Sequence, residues 1–227
     1  EEGSSITGKV VANSNTEDTF VLGGEANPES GGDTFDVSTI GNDAQYQRFE
    51  IFKKQGTSTW TLDGTAKQDI NWSDEEGTLV FGSSNQGGGT ISGNGGDIGY
   101  LDGVSLKNAI VLNQDTGMIV NAGAASQSGI ISGTGAMTKT GEGLLILSND
   151  NTYQGLTTVA AGSLQLGNGG TTGMVSGAIV DNGTLIFNHS DDLAYAGIIS
   201  GTGDITQDGA STLTLTGDNT YTGKTTI

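Results

Sequence analysis

A chain of 227 residues with 26 acidic and 8 basic side chains carries a formal net charge of −18, which sets it against the phosphate backbone of nucleic acid. Its apolar fraction is 33%, below the roughly 45–50% of an average globular domain, and 40 glycines against a single proline exclude collagen and Pro-rich linkers. With no cysteine, neither disulfides nor thiolate metal ligation holds it together, and no stretch reaches the roughly 18 apolar residues of a membrane helix.

The opening, Glu1-Glu2-Gly3-Ser4, has neither the basic nor the apolar part of a signal peptide. From there on, apolar residues recur in short alternating runs, which points to a folded, turn-rich β protein rather than to disorder. Ile51–Thr65 reads IFKKQGTSTWTLDGT, and Trp60/Leu62 is followed about 19 residues later by Leu79/Phe81. Between them lies Trp72, in Ile70-Asn71-Trp72-Ser73, a candidate contact residue. Gly93–Ile98 contains one imperfect glycine-aspartate copy; calcium needs six to eight oxygens from successive turns, so a plain Gly-rich turn is the reading there.

The second half repeats itself. Ile130–Val159 and Ile198–Ile227 align without a gap, about 68 residues apart, with more than half of their positions identical. Ile51–Thr65 is a weaker third copy, with Gly56, Trp60 and Leu62 where Gly141, Leu145 and Leu147 stand. The strands Leu145/Leu147, Leu164/Leu166, Leu185/Phe187 and Leu213/Leu215 follow one another regularly at first, with a longer last interval between Leu185 and Leu213. Each alternates with period two, so the leucines face inward and residues such as Thr214 face out. The regular spacing, roughly 20 residues, fits one coil of a β-solenoid, three short strands and three turns. The longer last interval implies a loop around His189-Ser190-Asp191-Asp192. The expected architecture is all-β, a parallel β-helix forming one unit over residues 1–227. The expected core is Trp60, Leu62, Leu79, Phe81, Leu145, Leu147, Leu164, Leu166, Leu185, Phe187, Leu213 and Leu215.

The run Thr138-Lys139-Thr140-Gly141, Leu145-Ile146-Leu147, Asn151-Thr152-Tyr153-Gln154-Gly155, Ala161-Gly162-Ser163-Leu164 closely resembles the autotransporter-associated β-strand repeat, as does Asp208–Ile227. Gln45–Glu50 leading into Trp60-Thr61-Leu62 is similar to passengers of large adhesin-like autotransporters. The resemblance implies a right-handed parallel β-helix at a Gram-negative cell surface, secreted or anchored through a β-barrel beyond this segment. The stop at Ile227, short of an Ala-Gly-x-Leu strand, is expected of a fragment. The family supplies no catalytic residue to carry over.

No residue set calls for a cofactor or a metal. His189 is the single histidine, so a Ser-His-Asp triad would need it. Its surroundings read as a polar loop, which makes it a possible surface contact instead. The acidic pairs Glu17-Asp18, Glu75-Glu76 and Asp191-Asp192 lack the coil-spaced recurrence of a polysaccharide-cleaving site. Asp150-Asn151 and Asp218-Asn219 read as Asx turns, and Tyr153 and Tyr221 as packing residues. The expected role is a non-enzymatic adhesin or stalk contacting host cells or extracellular matrix, with Thr65–Gly77, Asn85–Ser105 and Asn188–Gly197 as binding loops. Self-association through Asn, Thr and Asp ladders and a polysaccharide-active enzyme are the alternatives.

Overall fold

The computed structural model describes residues 6–13, 15–26 and 32–227. Glu1-Glu2-Gly3-Ser4 therefore lies outside the described residues. The chain forms a parallel β-helix of about 9 turns. Among the described residues the one helical segment is a single 3-10 turn, Val37–Thr39, and no helix is long and apolar enough to cross a membrane.

Three faces are stacked in parallel. The first is a six-stranded sheet running from Thr19–Leu22 through Ile51–Lys54, Trp72–Asp74, Ile91–Gly93 and Ile110–Leu112 to Ile131–Gly133. The second is a nine-stranded sheet from Asp33–Asp36 to Ile199–Ser200, and the third a seven-stranded sheet from Ser105–Leu106 to Thr225–Thr226. The first face continues beyond Gly133 through single backbone bonds: the Thr152 N–H donates to Ile131 O at 2.8 Å and the Asn151 N–H to Met174 O at 2.8 Å. It ends in the strand pair Leu193–Tyr195 and Leu213–Leu215.

Parallel stacking puts like positions over like positions, because each strand alternates and each coil adds one strand per face. On the second face Trp60, Leu79, Ile98, Met118, Lys139, Val159 and Asp181 form one inward column. On the third face Leu145, Leu164, Leu185 and Ile205 stack, beside Gln127, Leu147, Leu166, Phe187 and Gln207. Leu62, Leu79, Phe81, Leu145, Leu164, Leu166, Leu185 and Phe187 are fully sealed, and Leu147 is sealed to 1%. Each such side chain contributes roughly 1.5–3 kcal/mol by leaving water. Trp60, Leu213 and Leu215 are half-buried; the Trp60 indole N–H also donates to Gly23 O at 3.0 Å.

The repeat copies do not lie on the same faces. Ile131–Gly133 is on the first face but its counterpart Ile199–Ser200 is on the second; Leu144–Leu147 is on the third but Leu213–Leu215 is on the first. With coils of roughly 20 residues, the offset between the copies is three coils plus one face. One sequence unit serves any face because the three faces present equivalent strands and corners. The same rotation corrects two readings of spacing. Leu185/Phe187 pairs with Ile205/Gln207 one coil on, while Leu213/Leu215 stacks on Leu193/Tyr195, so no long loop fills the interval between Leu185 and Leu213. Trp60/Leu62 lies on the second face and Leu145/Leu147 on the third.

The segments expected as binding loops are coil instead: Thr65–Gly77 holds Trp72–Asp74, Asn85–Ser105 holds Ile91–Gly93 and Asp97–Tyr100, and Asn188–Gly197 holds Leu193–Tyr195. The segment that does leave the coil follows the bulge between Leu166 and Gly170, where residues 168–172 are exposed.

Candidate binding surface

The corners are built by a recurring buried donor. The last inward residue of a strand, followed two positions later by glycine, turns its side chain onto the carbonyl of that glycine. Lys54 Nζ donates to Gly56 O at 2.6 Å, Gln127 Nε2 to Gly129 O at 2.9 Å, Lys139 Nζ to Gly141 O at 2.8 Å and Gln207 Nε2 to Gly209 O at 3.2 Å. Each lysine also reaches the next coil, Lys54 to Glu76 O at 2.8 Å and Lys139 to Ala161 O at 3.2 Å. A fully sealed ammonium is tolerated because three carbonyls replace water. Burial still pushes Lys139 down to about 8, against the opposing pull of Glu142, and lowers Lys54.

Two corners carry an aspartate instead. Asp74, in register with Lys54, is fully sealed, and neither carboxyl oxygen has a hydrogen-bond partner. Burial pushes it up to about 8; Lys54 pulls the other way and Asp97 adds to the rise. Asp181 is also sealed, accepts from the Gly183 N–H at 3.0 Å, and is pushed up to about 6 by burial.

Other acids and amides staple one coil to its neighbour. Asp97, Asp102, Asp115, Asp192 and Asp204 accept from the backbone N–H of Gly117, Ala124, Ala136, Thr212 and Lys224, each one coil further along. Asn151 accepts from the Ile131 N–H at 2.9 Å, and its copy Asn219 from the Ile199 N–H at 2.8 Å. These asparagines bind the preceding coil rather than closing local Asx turns. Tyr153 is buried and hydrogen-bonds Thr157, and Tyr221 repeats the pair with Thr225 at 2.8 Å.

Both residues expected as surface contacts are inside. Trp72 is 3% exposed, edge-on to Phe52 with ring centroids 5.6 Å apart, because its position alternates inward between Phe52 and Ile91. His189 is 1% exposed as the third inward residue of Thr184–His189, after Leu185 and Phe187. Its Nδ1 lies 3.8 Å from Asp191, and neither ring nitrogen makes a hydrogen bond. No serine hydroxyl reaches the imidazole among the described residues, so the triad geometry is not assembled there. Of the acidic pairs, Glu75 is held by Lys53 at 2.6 Å, and that bond is the main cause lowering its pKa. Among the described residues no group of three or more His, Cys, Asp or Glu is placed to hold a metal.

Two open cavities are apolar-floored. One of about 560 Å³ lies among Phe20, Phe35, Tyr46 and Trp60. The other, about 680 Å³, runs over the outer side of the second face, floored by Thr59, Thr61, Thr78, Val80, Gly99 and Ile119 and walled by Leu101, Asp102, Asn121 and Ala122. Leu101 is 49% exposed at its rim. The sequence signal for this groove was two glycines, Gly82 and Gly99, standing where neighbouring coils carry outward side chains.

A stacked triangular rod with polar staples between its coils defines a parallel β-solenoid. Residues 137–166 and 205–227 match the passenger-associated-transport-repeat, so over these two stretches the chain is similar to autotransporter passengers. The chain is also 42% identical over 118 residues to a protein of Brucella suis biovar 1 (strain 1330) named "Adhesin BmaC autotransporter". That alignment covers 52% of this chain and 4% of the relative's length. No solved structure matches the chain.

Proposed function

We propose that this chain is a non-enzymatic section of a bacterial cell-surface adhesin, contributing contact surface toward host cells or extracellular matrix. The observation that carries this reading is the fate of its chemistry-bearing groups. Lys54, Asp74, Lys139, Asp181 and His189 are sealed inside the rod, and Asp97, Asp102, Asp115, Asp192 and Asp204 each hold a backbone N–H of the next coil. What such a rod offers outside is shape: sheet faces, corners and the bulge loop. The adhesin named among its relatives supports the same reading. Bacteria displaying the parent protein, with and without the coils of residues 79–207, should differ at least tenfold in adhesion to host cells or immobilised matrix proteins. Equal adhesion would leave the segment a spacer. Release of sugar from acidic polysaccharides by the purified chain would overturn the non-enzymatic part.

Self-association is the second reading, and the staples narrow it. Because the Asp and Asn side chains serve their own rod, a second rod would meet mainly outward threonines such as Thr59, Thr61, Thr78, Thr138 and Thr158 on the second face. Clumping of cells that display the parent, strengthened by salt as the −18 charge is screened, is the outcome that supports it.

A further inference from the structure

The groove on the second face has a shape and a charge pattern that together select a ligand class. Its floor is uncharged, and two glycines deepen it. A side chain at Gly99 would meet Val80 Cγ2 at 2.8 Å, and one at Gly82 would meet Thr61 Cγ2 at 2.9 Å. The resulting dents are lined by aliphatic groups from Val80, Ile119 and Leu101 on the outside of a chain whose net charge is −18.

Around that apolar floor the charges have one sign. Asp102 forms part of the wall. Asp97 lies one alternation from Gly99 on the same strand, and Asp63 ends the strand of Thr59 and Thr61. No lysine or arginine lines the groove. Each of the three carboxylates spends one oxygen on a backbone N–H: Asp102 on Ala124 at 2.8 Å, Asp97 on Gly117 at 2.8 Å and Asp63 on Gly64 at 2.7 Å. The second oxygen of each makes no hydrogen bond among the described residues. Asp97 and Asp102 are fixed in place by a bond to the next coil and Asp63 by its neighbour's N–H, and each keeps a second acceptor oxygen.

We propose that this groove binds an extended polypeptide segment of a partner, one in which an aliphatic side chain is flanked by lysine or arginine. The aliphatic group fills the dent at Gly99, and the basic groups reach Asp102, Asp97 or Asp63. Alternate side chains of an extended strand point the same way, so the basic residues stand two positions before and after the aliphatic anchor and share its face. A negatively charged rod also steers such a segment in from solution. The proposal rests on the adhesin reading and names the partner chemistry of one of its surfaces.

Fluorescence anisotropy on the purified chain tests it with three short fluorescein-labelled peptides. One repeats Lys-Ser-Val-Ser, so that lysine and valine share one face of the extended strand, one replaces its valines by glycine, and one replaces its lysines by glutamate. The lysine–valine peptide should bind at least about tenfold more tightly than either other. Leu101→Ser and Ile119→Ser, which leave the charge unchanged, should weaken it at least about tenfold, and Asp102→Asn severalfold. Asp192→Asn, remote from the groove, should leave it unchanged. Equal binding of the glycine peptide, or equal loss in Asp192→Asn, would mean that only the net charge attracts the peptide and would overturn the groove; so would no binding of any peptide. If the parent adheres to cells or matrix and Ile119→Ser leaves adhesion intact, the groove fails while the adhesin reading stands. If the parent adheres to nothing, that reading fails whatever the peptides do.

Discussion

The coils around Phe20–Trp72 and those around Ile91–Phe187 solve the same packing problem with different materials. In the first region the interior is aromatic. Phe20 touches Phe35, Tyr46, Phe49 and Phe52, with ring centroids 5.0 to 6.0 Å apart, and Phe52 touches Trp72. In the second, aliphatic residues stack in columns, with Tyr100, Tyr153 and Phe187 as exceptions. Coil length differs too. Phe20 meets its partner Phe52 only after a long excursion through Asp33–Asp36 and the 3-10 turn, whereas Trp72 pairs with Ile91, and Ile91 with Ile110, after short coils of equal length. Large rings fill a coil that is irregular, while equal leucines need equal coils. The shared element is the corner: Lys54-Gln55-Gly56 and Lys139-Thr140-Gly141 are built alike in both regions. The corner, more than the core composition, keeps successive coils in register.

The largest expected effect breaks the aliphatic column. Leu147→Asp or Leu166→Asp places a carboxylate where exposure is 1% or less, at a cost of roughly 3–5 kcal/mol. Urea unfolding followed by circular dichroism should show the loss, whereas Thr214→Asp, on an exposed outward position, should stay within about 0.5 kcal/mol. Equal tolerance would remove the inward assignment. Next comes the corner. Lys139→Ala strands the carbonyls of Thr140, Gly141 and Ala161, and Lys54→Ala those of Gln55, Gly56 and Glu76. Each should cost about 2–4 kcal/mol. Lys139→Gln should cost about 1 kcal/mol or less, since Gln127 already performs this role on another corner. If the alanine changes were harmless in either region, the corner would not be the common element.

The fold was legible because repetition and alternation are both local signals. Leu145-Ile146-Leu147 and its copy state the strand, the glycines state the turn, and the spacing states the coil. Which face a strand joins is not local, since it depends on the summed lengths of all earlier turns. Hence the interval between Leu185 and Leu213 reads as a loop, and hence Trp72 and His189 read as surface residues, although both are buried. Both sit in short polar sequences, Asn71-Trp72-Ser73 and Asn188-His189-Ser190, that look like loops until alternation is carried through from Ile70 or Leu185. Of the candidate surface, Gly82 and Gly99 were visible only as two among 40 glycines. What makes them matter is the absence of a side chain between Val80, Ile119 and Leu101, which no spacing rule records.

The smallest expected effect separates the regions by pH. Asp74 belongs to the aromatic region and Asp181 to the aliphatic one, and burial raises both, to about 8 and about 6. In the unfolded chain an aspartate titrates near 3.9. Between that value and the folded one the native state holds a proton that the unfolded state has released. Stability contributed by each group is therefore present at acid pH and falls as pH rises, for Asp181 up to about 6 and for Asp74 up to about 8. Glu75, held down chiefly by Lys53, has the opposite sign, and its contribution is lost as the solution becomes acidic enough to protonate it. Asp74→Asn keeps the shape and removes the titration. Its stability, followed by thermal melting, should match the native chain near pH 4 and exceed it increasingly towards pH 8. Asp181→Asn should show its gain over a narrower range and level off above about pH 6, sooner and smaller because its raised value lies lower. Two variants with the same pH profile would mean that the sealed carboxyls of the two regions sit in equivalent surroundings, against the unpartnered oxygens of Asp74 and the Gly183 bond of Asp181.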